Sequence, residues 1–526
     1  MEHGDRHSAQ RSLPRPPLFW ARSPLCRVAT PLRGLVGLAL LQALLLWFGI
    51  AVRYPLAQGL RSPGVTWPNF YPGSLAAAGW HGAVYALLLI CYLVALRLVQ
   101  RAALRCRSTM LVIIGGWLLA SLALLRAYPG ESRDIFDYLF RGRLVFLLHA
   151  SPLAITPDAF PAQPFYSYVT WRGWVDTYGP IWEYASGATA GAVWATGSIS
   201  IAAYITGYRL LAIGMTGLCA SLIGVLVQRS TPALAPLAVL AWLWNPLVLI
   251  STALGAHNDV IMLVFVLLTF LLVQRQRWLP ALLALWLAAH VKLTALLLLP
   301  VLGLWLVRQR GWRAATAISL RALGVALPLS WLLYAPLGGW ATLPRMLRER
   351  TILIYNSPAN IVYSELQHRW GWHELAARHT VTLGSTLLFV IGALGLLLFF
   401  WRRAAAHQYA DTTFWRTSLE ITLAYLLVGS FWFQSWYVLW VLAIAALLPR
   451  SRWTQQLLPF YSLGALWSNL ATDFLNQTQR VSAVTVSWVM VITLLTPMVC
   501  VRAFLLVRRL IYNGPIHSDT EPDQVG

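Results

Sequence analysis

The sequence predicts an all-α polytopic membrane protein of about 12–14 transmembrane helices with large loops on one face, since lipid admits only helices or closed barrels. Three observations carry this expectation. Of the 526 residues, 58% are hydrophobic and only 11% charged, with a mean hydropathy of +0.62; a soluble domain is about one-quarter charged. Runs of about 20 apolar residues recur along most of the chain, each long enough to cross a bilayer as a helix. They do not alternate apolar with polar residues, as β-barrel spans do. Finally, the arginines gather in short clusters between the apolar runs, as topology signals do.

In chain order, residues 1–33 form a polar, Pro- and Arg-rich tail, long for a signal peptide and without a clear cleavage site. A transmembrane domain follows over 34–508. Its spans are expected at 34–52, 79–96, 109–127, 209–227, 232–252, 260–274, 278–290, 293–307, 314–336, 380–401, 417–433, 436–449, 456–472 and 483–506. The pairs 278–290 with 293–307, and 417–433 with 436–449, are short enough to be tight hairpins or broken segments. The Ala/Gly/Ser/Thr-rich stretch 184–206 reads as an interfacial helix on the outer side. Residues 509–526 are expected to form a cytoplasmic tail whose end, "NGPIHSDTEPDQVG", reads as disordered.

With both termini inside, the basic segments "RAALRCR", "QRQRW", "RQRGWR", "WRR" and "PRSRW" all face the cytoplasm. Most carboxylates then fall outside, in two large loops at 128–208 and 337–379. Loops of this length in a compact domain are usually functional. The net charge of +22 would suit nucleic acid, but its dispersal among topology signals excludes that partner. The five cysteines have no metal-ligand spacing and none lies in an outer loop, so neither a metal site nor structural disulfides are expected.

The first outer loop opens with "GESRDIFDYLFRGRLVF". On a helix Asp134 and Asp137 share a face with Arg141 nearby, and Glu131 precedes them. Acids at a helix start also serve as caps, so spacing alone leaves both roles open. "WRGWVDTYGPIWEYAS" adds a turn at Tyr178-Gly179-Pro180 and an aromatic group including Tyr178 and Trp182. Such rings are interfacial anchors or sugar-stacking walls. "WNPLVLISTALGAHNDVIML" sets His257, Asn258 and Asp259 at an outer tip. "ILIYNSPANIVYSEL" holds Asn356, and "SFWFQSWYVLWVLA" puts Gln434, Trp436 and Tyr437 at another tip. Lys292 is the only lysine, placed among leucines at an outer turn. An ionisable residue there is a functional hypothesis, against the alternative of snorkelling to the interface.

The order "DIFDY…GR", "YGPIW", "NP…HND", "KLTALLLLP", "NSPANIVY" and "WYVLW", over residues 109–449, resembles polytopic glycosyltransferases of the GT-C superfamily. It is most similar to the bacterial polyprenol-phosphomannose-dependent α-mannosyltransferases and their glycosyltransferase family 87 relatives. The resemblance implies a GT-C-like fold in the bacterial plasma membrane, with the active site extracytoplasmic. It implies transfer of a hexose, here mannose, from a polyprenyl-phosphate donor to a glycan or glycolipid acceptor, with no cofactor or metal. The family's catalytic Asp in the first outer loop matches Asp134; Asp137 and Glu131 are second candidate acids, Asp137 standing where a small polar residue is expected. A phosphate leaves as a stable anion, so one carboxylate acting as general base suffices where a glycosidase needs two. Lys292, Arg209 and Arg141 would face the donor phosphate. Tyr178, Trp182, His257, Asn258, Asp259, Asn356, Gln434, Trp436 and Tyr437 would hold substrate. The alternative is a transporter or flippase of a lipid-linked glycan, which would place its ionisable groups near the midplane. Membrane lipid is the surrounding partner, and nothing in the sequence specifies an oligomeric state.

Overall fold

A computed structural model describes residues 30–72, 74–102, 107–406, 411–478 and 481–512. Most of both tails, at 1–29 and 513–526, lies outside the described residues. Those described are helical, with no strand among them, as expected of an all-α polytopic membrane protein.

The helices that position the site are, in order, α1 (Thr30–Leu46), α2 (Leu75–Arg101), α3 (Arg107–Leu124), α4 (Asp134–Leu148), α5 (Pro180–Ala195), α6 (Ile201–Ser230), α7 (Asp259–Gln274), α8 (Trp278–Ala289), α9 (Leu299–Arg310), α10 (Trp312–Tyr334), α11 (Leu343–Ile352), α12 (Pro358–His368), α13 (Glu374–Ala406), α14 (Asp411–Ala424), α15 (Val438–Ala445), α16 (Arg452–Thr478) and α17 (Ala483–Tyr512). Among the described residues, eight helices are long and apolar enough to cross a membrane, or nine with the bent pair Pro232–Leu243 and Pro246–Leu254. This is fewer than the 14 segments read from hydropathy. The segments 260–274, 278–290 and 436–449 form helices of 10–17 residues, ended by polar turns. The segment 417–433 ends as helix at Ala424 and continues as a π-turn over Tyr425–Gly429.

Buried faces follow the helical repeat. In α1, Leu32, Leu35, Ala39, Gln42, Ala43 and Leu46 face inward, while Val36, Leu40, Leu41 and Leu44 are exposed. On α13 the exposed residues include Leu383, Leu387, Ile391, Leu394 and Leu398, an apolar outer surface suited to lipid. The bent pair meets at 54° at Asn245-Pro246. Pro246 cannot donate to the preceding turn, and Asn245 caps the new helix through the Leu247 N–H at 3.0 Å. Asn245 Nδ2 then donates to the Leu458 carbonyl and Ser462 Oγ, fixing α16 beside the bend. The Ala/Gly/Ser/Thr-rich stretch 184–206 is not one helix: α5 ends at Ala195 and α6 begins at Ile201, and α5 packs against α4 and α6.

Candidate active site

Both large loops and the tips around residues 292 and 434–437 meet around a cavity of about 890 Å³. Segments far apart in sequence, each read separately as a loop, thus face one space.

Asp134 and Asp137 lie in the first turn of α4, where the helix dipole favours negative charge. The Asp134 N–H donates to Ser132 Oγ at 3.2 Å. Asp137 is buried, and its two oxygens accept the Thr170 and Trp171 N–H groups at 3.1 and 3.0 Å. Burial pushes its carboxyl up, while Arg141 and those two bonds oppose the shift. One turn on, Arg141 Nη2 donates to the Trp171 and Trp174 carbonyls at 3.0 and 2.9 Å, and its Nε lies 3.7 Å from Asp176. Asp137 and Arg141 therefore clamp the 170–176 segment onto α4. Asp134 is half-buried and opens onto the cavity. Burial and the neighbouring Asp137 push it up to about 7, against the pull of Lys292 and the Trp171 indole.

The Tyr178-Gly179-Pro180 turn is bonded to the chain just before Lys292. The Gly179 N–H donates to the Val291 carbonyl and the Ile181 N–H to the His290 carbonyl, both at 3.0 Å. A Cβ on residue 179 would lie 2.0 Å from the His290 oxygen, so this approach requires glycine. It brings the Tyr178 ring to 5.4 Å from Lys292 Nζ, with the Tyr437 ring at 4.3 Å and Trp440 at 5.2 Å. The lysine is not free. Its Nζ lies 2.7 Å from Asp259 Oδ1, and Trp440 Nε1 donates to that same oxygen at 2.6 Å. Both charges are buried, with Lys292 at 1% exposure and Asp259 at 0%. Asp259 also starts α7, whose dipole supports its charge.

The second loop is tied to the 430s by the Tyr355 N–H donating to the Phe431 carbonyl and the Phe433 N–H to the Tyr355 carbonyl. Glu349 joins the two large loops, accepting the Val175 N–H at 2.8 Å and the Arg345 Nε at 3.0 Å. On the first loop, Glu131 Oε1 accepts from Ser435 Oγ at 3.2 Å, and burial pushes this carboxyl up to about 8.

Of the residues singled out in the sequence, Glu131, Asp134, Asp137, Arg141, Tyr178, Lys292, Asn356, Gln434, Trp436 and Tyr437 line the cavity. Trp182, His257, Asn258, Asp259 and Arg209 stand behind its wall or away from it. His257 stacks on Trp436 at 3.8 Å, backing a wall residue. Arg209 is fully buried and donates to the carbonyls of Leu254, Leu124 and Leu125, which corrects its expected place at a phosphate. A guanidinium inside a span is held by free backbone oxygens at helix ends, and here three are in reach. Sequence reasoning missed Arg350, Asn469 and Asp473, all on the cavity wall. Asn469, Asp473 and Asn476 recur at i, i+4, i+7 on α16, a polar stripe that could have been read. Arg350 sits in a run with Arg345 and Arg348, and nothing local distinguishes it.

Residues 31–308, more than half of the chain, match the MptA_B family model, described as alpha-(1->6)-mannopyranosyltransferase, N-terminal domain. The chain belongs to this family. It is a multi-pass membrane mannosyltransferase of GT-C type. The matched region includes Asp134, Asp137, Tyr178, Asp259 and Lys292. It ends before Arg350, Asn356, Trp436 and Asp473, which complete the cavity. No curated protein matches the chain.

Proposed function

We propose that this mannosyltransferase takes mannose from a polyprenyl-phosphate carrier and passes it to a hydroxyl of a glycan or glycolipid on the extracytoplasmic side. The acceptor oxygen attacks the anomeric carbon and the bond from that carbon to the phosphate oxygen breaks. The phosphate leaves as an anion, the hydroxyl proton passes to Asp134, and the sugar inverts. One observation carries this assignment. Asp137 holds two backbone N–H groups, Glu349 holds a third, Glu131 accepts from Ser435 and Asp259 pairs with Lys292, whereas Asp134 faces the cavity within the field of the Lys292 charge and with no ion pair of its own among the described residues.

An amphiphilic donor suits the cavity. One wall includes Phe389 and Thr386 of α13, with Tyr425 and Gly429 of the π-turn, next to the apolar outer face of α13. A prenyl chain can lie there while its phosphate meets the cations. Lys292 supplies charge already shared with Asp259. Arg350 faces the Tyr425, Tyr437 and Tyr178 side chains, with no carboxylate paired to it among the described residues, and supplies the second cation.

The test uses purified protein in lipid with radiolabelled polyprenyl-phosphate mannose and α-mannoside acceptors. Asp134→Asn should retain donor binding and lose at least about a hundredfold in turnover, the scale of general base catalysis. Mannose transfer from a soluble nucleotide sugar, with none from the lipid phosphate, would overturn the donor assignment.

A further inference from the structure

A separate part of the cavity wall carries groups that the transfer step leaves without a role. Glu131 is 6% exposed, and its Oε2 has no hydrogen-bond partner among the described residues. The Glu131 carbonyl accepts from Asn469 Nδ2 at 3.2 Å. One turn further along α16 stands Asp473, and no cation pairs with either carboxyl among the described residues. Four more buried polar atoms on residues of this cavity lack partners among the described residues: Asn356 Oδ1 and Trp436 Nε1, on side chains 7% and 5% exposed, and Arg133 Nε and Arg141 Nη1, whose guanidiniums are otherwise held by backbone carbonyls. Buried polar atoms are nearly always satisfied, so unsatisfied ones in a cavity wall point to a ligand.

The chemistry of these atoms narrows that ligand. They include both acceptors and an indole donor, so it must donate and accept. An ionised phosphate has no hydrogen to donate and would leave Asn356 Oδ1 unpaired. A bare cation would leave the Trp436 N–H unpaired, and no group of three or more His, Cys, Asp or Glu among the described residues could hold a metal. Trp171 and Tyr355 flank Trp432 at ring separations of 5.7 and 5.4 Å, and all three line the cavity. Aromatic rings beside unsatisfied polar groups suit a hydroxylated ring with apolar faces. With its carboxyl pushed up to about 8, Glu131 stays protonated at neutral pH and can donate to a hydroxyl.

We propose that Glu131, Asp473, Asn356 and Trp436 form the acceptor subsite, holding a neutral hexose by its hydroxyls so that the attacking oxygen points toward Asp134. This rests on the mannosyl-transfer reading above. Its test measures binding of octyl α-mannopyranoside to the full chain in lipid, without donor, beside binding of polyprenyl-phosphate mannose. Glu131→Ala and Trp436→Phe should each raise the mannoside Kd at least about tenfold, the scale of one lost buried hydrogen bond. Glu131→Gln, which can still donate and accept, should stay within about threefold of wild type. Donor affinity should hold in all three. The two losses come from separate segments, so one misfolded variant leaves the other decisive. Wild-type mannoside affinity in the folded variants, or an equal loss of donor affinity, overturns the subsite. A wild-type protein that binds the mannoside but not the lipid phosphate overturns the donor assignment and leaves the subsite standing.

Discussion

Asp134 and Asp137 share one helix face and one charge, yet their surroundings separate them. Asp137 accepts two backbone N–H groups beside Arg141, while Asp134 meets the cavity. Asp137 on its own helix, and Lys292 and Asp259 from other elements, are the charged groups that act on Asp134. A base works ionised, and burial holds Asp134 up to about 7. The profile of kcat/KM should therefore rise with pH through about 7 and fall about tenfold per pH unit below it. A profile flat down to pH 5 would mean that an ordinary carboxylate, or another group, takes the proton. Arg350 gives a second prediction at this scale. Arg350→Met should weaken donor binding by about 1.5–3 kcal/mol, the worth of a hydrogen bond to a charged group. Unchanged binding in a titration with the lipid phosphate would remove Arg350 from the phosphate site.

At the scale of elements, the turn between α8 and the 3₁₀ segment Leu293–Leu298 is held from two sides. The Gly179 turn bonds to its backbone, and α7 supplies Asp259 to its lysine. The lysine thus joins α7, the 292 turn and the Trp440 helix through one carboxylate oxygen. Removing one partner of such a pair strands the other charge in a dry interior. Lys292→Met should cost about 3–5 kcal/mol of stability, and adding Asp259→Leu should restore most of it. Thermal unfolding in detergent of the single and double variants measures this. A stable Lys292→Met protein would show that Asp259 does not depend on the ammonium.

At the scale of the molecule, the loops that share the cavity are also those placed outside by the arginine bias. Ser167 is exposed, and so is His368 at the end of α12, whereas Ser364 one turn earlier is buried. Cysteines placed at 167 and 368, in a chain freed of its native five, should react with a membrane-impermeant reagent on intact cells. Reaction only after permeabilisation would reverse the orientation and move the chemistry to the cytoplasmic side.

Hydropathy and arginine placement made the helical membrane class legible, because the cost of exposing backbone to lipid acts on each segment by itself. Motif order pointed to the first loop, the Tyr178 turn and Lys292, since close backbone approach and intramembrane charge leave local traces in residue type. Span number was less legible, because a π-turn or a polar tip shortens a helix without lowering the hydropathy around it. Tertiary structure alone decided which charges are free. Asp259 and Lys292 are 33 positions apart, and Glu131 and Ser435 are 304 apart, so their contacts exist only once the helices pack. Arg209 and Lys292 are both expected from the sequence to face the donor phosphate. Packing set Arg209 against three carbonyl oxygens and left Lys292 on the cavity wall, paired with a carboxylate behind it. A charge takes its role from the partners within a few ångströms, and those partners come from other helices.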